Sequence, residues 1–86
     1  MPRISEFYGI AIYMYYEDHE PPHFHAIYGS REALIGIGSG EVLRGTLPGR
    51  ALQLVLDWSR MHAAELRSNW DRARGHIPLE PIAPLD

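Results

Sequence analysis

Three histidines fall within seven positions of an 86-residue chain, in the spacing His19-x3-His23-x-His25. Neutral imidazole is the commonest metal ligand among side chains, and residues two apart on a strand share a face, so His23 and His25 could share one ion. His19, arriving from a neighbouring loop, would complete a three-histidine set with an open position, the arrangement of catalytic zinc. Glu17, Asp18 or Glu20 would then orient a ring by accepting its second N–H. The same residues support chemistry without a metal. Histidine titrates near neutrality, so His23 and His25 could divide acid and base roles in cleaving a phosphodiester, with His19 orienting or binding the phosphate. The chain has no lysine, which leaves Arg31 or Arg44 to offset negative charge. Tyr28, with Tyr13, Tyr15 and Tyr16, could supply hydroxyls or stack on bases. A third reading is structural: the histidines hydrogen-bond backbone groups of the Pro21-Pro22 loop and fix it. The spacing alone leaves all three open.

The elements that must position these residues are strands in the first half of the chain. Phe7 to Tyr16 is rich in β-branched and aromatic residues without a helical period, and predicts one central strand covered on both faces. Pro21 and Pro22 offer no N–H and end it in a stiff arm. His23–Tyr28 and Arg31–Ile37 are joined by Gly29-Ser30, a two-residue hairpin in which glycine takes a positive φ. That register pairs Tyr28 with Arg31, Ala26 with Ala33, His25 with Leu34, Phe24 with Ile35 and His23 with Gly36. One face then carries Phe24, Ala26, Ala33 and Ile35 as core; the other carries His23 and His25, with open space over Gly36. A turn at Ser39-Gly40 returns the chain as a short strand, Glu41 to Thr46.

In the second half, apolar residues recur at steps of three and four: Ala51, Leu54, Val55, Trp58, Met61, Leu66, Trp70 and Ala73. This predicts an amphipathic helix of about 25 residues ending at Gly75, or two helices bent near Ser59–Ala63. Trp58 and Trp70 read as core anchors. His62 lies on or beside the stripe, either satisfied by a neighbour at the bend or facing the sheet as a fourth site member. The tail, residues 76–86, repeats proline too often for a helix, yet Ile77, Leu79, Ile82 and Leu85 are apolar, so it lies on the body or docks on a partner. The expected architecture is α+β: a four-stranded antiparallel meander packed on a C-terminal helix or helix pair, with an extended Pro-rich tail. It forms a single domain over residues 1–86, divided into a sheet half (1–46), a helical half (47–75) and the tail (76–86).

Composition removes several classes of function. The absence of cysteine excludes disulfides and thiolate zinc sites. The first six residues lack the apolar core of a signal peptide, and the apolar run from Ile10 to Tyr16 is too short to span a bilayer, so the expected address is cytoplasmic, with no membrane. A net charge of −3 argues against wholesale electrostatic binding of nucleic acid, although residues 50–74 hold five arginines against three acids. Gly36-Ile37-Gly38-Ser39-Gly40 opens no helix and is not a phosphate loop.

Phe7-Tyr8-Gly9-Ile10, Tyr13-Met14-Tyr15, Asp18-His19-Glu20-Pro21-Pro22-His23-Phe24-His25 and Tyr28-Gly29 together resemble the small bacterial family catalogued as domain of unknown function 4160. The resemblance continues through Leu47-Pro48-x-Arg50-Ala51-Leu52, Val55-x-x-Trp58, His62, Glu65-Leu66, Asn69-Trp70 and Pro81-Ile82-x-Pro84-Leu85. It implies the toxin side of a toxin–antitoxin-type two-gene module, with a cognate small antitoxin-like protein as partner. It also carries over His19, His23 and His25 as the site. Family membership does not by itself establish chemistry. The expected function is therefore a small toxin-like protein acting on RNA by ribonuclease-like acid–base chemistry at His19, His23 and His25. Arg31, Arg44 and Tyr28 bind substrate, and no cofactor is required. Against it stand a non-catalytic protein-binding module and a metal-binding domain in which the same three histidines hold zinc. A domain this small also suits a homo-oligomer.

Overall fold

Tyr8 and Gly9 both take positive φ, 51° and 78°. Two such residues in succession make the tight turn whose twist matches a β-hairpin, and glycine tolerates the conformation without steric cost. The computed structural model, which describes residues 2–86, accordingly breaks the run from Phe7 to Tyr16. In place of one central strand there is a hairpin, β1 (Arg3–Phe7) and β2 (Ile10–Tyr13), with Phe7 opposite Ile10. The chain continues as β3 (His23–Tyr28), β4 (Arg31–Gly36) and β5 (Val42–Gly45). The sheet is thus a five-stranded antiparallel meander in the order β1-β2-β3-β4-β5, and the expected four strands are corrected to five.

The β3–β4 register is the one the Gly29-Ser30 turn predicts, from Tyr28 opposite Arg31 to His23 opposite Gly36. Gly29 takes φ 61°. Because strand side chains alternate, this register fixes both faces. Ile10, Ile12, Phe24, Ala26, Ala33 and Ile35 are fully buried on one of them. The space expected over Gly36 is filled instead: a Cβ there would come within 2.5 Å of the Ser39 hydroxyl.

The helical half is two helices, α1 (Gly49–Met61) and α2 (Ala63–Arg74), broken at His62 with φ −121° and ψ 27°. Ala51, Val55 and Trp58 face the sheet from α1, and the Trp58 ring meets Phe7 at 5.3 Å and Phe24 at 5.8 Å between centroids. No helix among the described residues is long and apolar enough to cross a membrane.

The tail lies on the body. Trp58 Nε1 donates to the Ala83 carbonyl at 2.8 Å, and the Ile82 N–H donates to the Ile4 carbonyl at 2.8 Å. Asn69 holds Glu80 twice, donating to its carbonyl at 2.8 Å and accepting its N–H at 2.9 Å. Ile82 is buried, and Leu79 and Leu85 pack against the core. Ile82→Ala should therefore destabilise the fold by about 2–4 kcal/mol in urea denaturation. Ile77→Ala, at an exposed position of the same tail, should stay within about 0.5 kcal/mol of the parent.

Candidate metal centre

β3 carries the two histidines, and alternation turns both away from Phe24 and Ala26. Their ring centroids are 5.2 Å apart. Neither ring lies open to solvent: the side chains are 7% and 11% exposed for His23 and His25. The Trp70 ring of α2 stands 5.4 Å from His23, and Tyr15 meets His25 edge-on at 4.4 Å. Burial, before the charges of Glu32, Tyr13 and Asp18, pushes the Tyr15 hydroxyl above its ordinary pKa, so it remains a neutral donor beside the site.

The segment between β2 and β3 brings in the carboxylate. Glu17 takes a positive φ of 65°, and the Glu20–Pro21 peptide is cis. Arg74 of α2 pairs with Glu20, His76 lies 3.4 Å from Glu17, and the His76 ring stacks on Tyr16 at 6.2 Å. Asp18 is thus flanked on both sides by residues tied to the end of α2. One of its oxygens, Oδ2, lies 3.1 Å from His25 Nε2 and 3.3 Å from His23 Nε2.

The partners of the ring nitrogens differ between the two residues. His23 Nδ1 lies 2.8 Å from the Pro21 carbonyl, which can only accept, so Nδ1 carries the proton and donates it. His25 stands between two carboxylates, Glu32 at 2.9 Å from Nδ1 and Asp18 at 3.1 Å from Nε2, and either can accept its N–H. In neutral His23 the Nε2 is then a bare lone pair. His23 Nε2 is buried and has no hydrogen-bond partner. Possible ligand atoms, one from each of Asp18, His23 and His25, converge within 4.8 Å of one another. Two histidines with their second N–H tied to a carbonyl and a carboxylate, plus one carboxylate, match the environment of a bound transition metal.

These residues form one wall of a cleft of about 480 Å³, completed by His19, Pro21, Glu32, Leu34 and Arg44. His19 is exposed on this cleft but stands outside the three-atom cluster. Arg44 lies opposite Leu34, which lies opposite His25, so it faces the cleft from two strands away. Arg31 and Tyr28 are at the other end of the same ladder, five residues from Gly36, or roughly 17 Å along the strand. Tyr28 lines a different cleft, of about 470 Å³, with Tyr8 and Arg50. His62 is not brought to the histidines: its Nδ1 pairs with Glu65 and its ring lies 5.6 Å from Trp58, at the helix break.

Sequence reading gives one member of the site another role and misses a second. Asp18 read as an outer partner, whereas its oxygen stands at the centre of the cluster. Glu32 was not singled out, although the predicted register already placed it beside Leu34 on the histidine face, within diagonal reach of His25.

The fold and site together define a small α+β protein with a two-histidine, one-carboxylate cluster on its sheet. The chain belongs to the family described as Domain of unknown function (DUF4160), whose model matches residues 9–71. That span contains Asp18, His23, His25, Glu32 and Arg44. No curated protein and no solved structure matches the chain.

The hydrogen bond to Pro21 fixes a tautomer at His23 that NMR can read. Long-range ¹H–¹⁵N spectra at neutral pH should show His23 protonated at Nδ1, and Glu32→Gln should perturb the His25 pattern while leaving that of His23 unchanged. An Nε2–H tautomer at His23 would contradict the arrangement.

Proposed function

We propose that the protein is a metal-dependent enzyme of hydrolytic type, in which Asp18, His23 and His25 hold a divalent first-row transition ion. The observation that carries this reading is the convergence of one possible ligand atom from each of Asp18, His23 and His25 within 4.8 Å, with the buried His23 Nε2 lacking a hydrogen-bond partner. A single ion satisfies all three atoms at once. Zinc accepts such a set of nitrogen and carboxylate ligands and keeps a position for water, which it polarises so that hydroxide forms near neutral pH.

The chain's own residues account for the remainder of the site. Pro21 and Glu32 hold the two rings in the ligating tautomer, and Glu32 raises the basicity of His25. His19, exposed on the cleft, is placed to exchange a proton with a substrate. In this reading the toxin-like role in a cytoplasmic two-gene module is exercised through the ion. The cognate small partner silences it by covering the cleft. The resemblance motivates that role, and the acid–base reading with His19, His23 and His25 as a metal-free set is its competitor.

Calorimetric titration with zinc, manganese and cobalt distinguishes the two. The parent chain should bind one ion saturably, and Asp18→Ala, His23→Ala or His25→Ala should abolish binding. His19→Ala should retain it, and Glu32→Gln should weaken it by about 10- to 100-fold. At an ion concentration of 100 times Kd, the thermal midpoint should rise by roughly 10–20 °C. Equal binding by the parent and the His23→Ala/His25→Ala double variant would remove the metal reading.

A further inference from the structure

The acids lining the cleft are Asp18, Glu20 and Glu32, and Glu20 is neutralised by its pair with Arg74, which leaves Asp18 and Glu32 to set the charge of the cleft. Arg44 forms no ion pair among the described residues, and it is the one arginine lining this cleft. It comes from β5, an edge strand exposed along its length. The ladder Arg44–Leu34–His25 spans two strand spacings, about 9–10 Å between backbones. An arginine side chain leaning along the sheet can therefore reach an anion seated on an ion at His25.

We infer that Arg44 is a substrate-binding residue and that the substrate is a phosphodiester, gripped between the ion and the Arg44 guanidinium. The inference rests on the metal reading above and adds the class of molecule acted upon. Charge matching selects it. With both histidines neutral, a divalent ion, Asp18, Glu32 and Arg44 leave the cleft with a single net positive charge. A phosphodiester carries one negative charge and neutralises it, whereas a phosphomonoester dianion leaves an excess beside two carboxylates. The two non-bridging oxygens suit the pair of grips, since a guanidinium presents a planar fork of donors to such oxygens. Pro21, Leu34 and Leu43 of the same cleft offer apolar surface to the two ester arms. A carboxylate has the right charge but only one arm.

The reaction that follows is hydrolysis. Water supplies the oxygen that bonds to phosphorus, and one ester P–O bond breaks. One proton of that water passes by way of His19 to the departing alkoxide, giving an alcohol, and the other remains with the phosphomonoester product. No oxidant or reductant enters. The product leaves as a monoanion and gives up its remaining proton to solvent outside the cleft.

The test uses the full chain loaded with zinc and reads binding separately from turnover. Calorimetry should show diphenyl phosphate binding more tightly than phenyl phosphate or benzoate. Arg44→Ala should weaken the diester by about 10- to 100-fold, the range for a lost charge-assisted contact, with Arg44→Lys between the two. Zinc affinity and thermal midpoint should be unchanged in both variants, because Arg44 is exposed and is not a ligand. With bis(p-nitrophenyl) phosphate the loss should appear mainly in KM, whereas His19→Ala should lower kcat. If zinc binds but phenyl phosphate or benzoate equals the diester, or Arg44→Ala leaves diester binding intact, the inference falls and the metal centre stands. If zinc does not bind the parent chain, both fall together.

Discussion

A lone pair facing another lone pair is costly to bury, because the interior strengthens the repulsion and excludes the water that would donate to both. Asp18 and the buried, unpartnered Nε2 of His23 are held in that relation, beside a His25 that bridges Asp18 and Glu32. The surrounding structure prevents its relaxation. The register of β3 fixes both rings on one face. The Pro21 carbonyl and the Glu32 carboxylate occupy the nitrogens that could otherwise turn toward Asp18 and donate. Trp70 and Tyr15 crowd the rings so that neither swings into solvent. The result is a rigid set of three possible ligand atoms on one wall of the cleft.

The helix break serves the same end. Residues 49–74 as one straight α-helix would extend roughly 39 Å at 1.5 Å per residue, more than the longest extent of the molecule, 33 Å. The chain must turn within it, and it turns at His62, where the first turn of α2 supplies Glu65 to pair with the imidazole. The turn brings Trp70 to His23 and Arg74 to Glu20. The tail then locks both helices, with one hydrogen bond from Trp58 of α1 and two with Asn69 of α2. Buried apolar contact and saturated polar groups in this second half thereby determine where a ligand atom in the first half can sit.

The histidine face was legible in the sequence because it depends on local rules. Gly29-Ser30 sets a two-residue turn, the turn sets the register, and alternation does the rest. The core face Phe24, Ala26, Ala33 and Ile35 followed from the same rules. The β1–β2 hairpin was not legible because its turn begins with Tyr8, a bulky residue that rarely takes positive φ, inside a run of strand-forming neighbours. The role of Asp18 was hidden for a different reason. Its position is set by contacts fifty or more residues away, Arg74 with Glu20 and His76 with Glu17, and no local pattern encodes them. His19 matched the spacing of a ligand, but the conformation of the loop presents Asp18 to the rings instead.

Net charge is a poor guide to what such a cleft can hold. A chain of net charge −3 lacks the broad field that draws nucleic acid to basic surfaces. The outer acids of the loop are paired, Glu20 with Arg74 and Glu17 with His76. The charged groups left on the cleft are Asp18, Glu32 and one arginine, Arg44. Affinity for an anion must then be concentrated at a single group rather than spread along a backbone. Few counterions are released by so small a footprint, so binding of this kind depends weakly on salt. An anion taken up there would be held by matching one charge and two oxygens rather than by a field along its length.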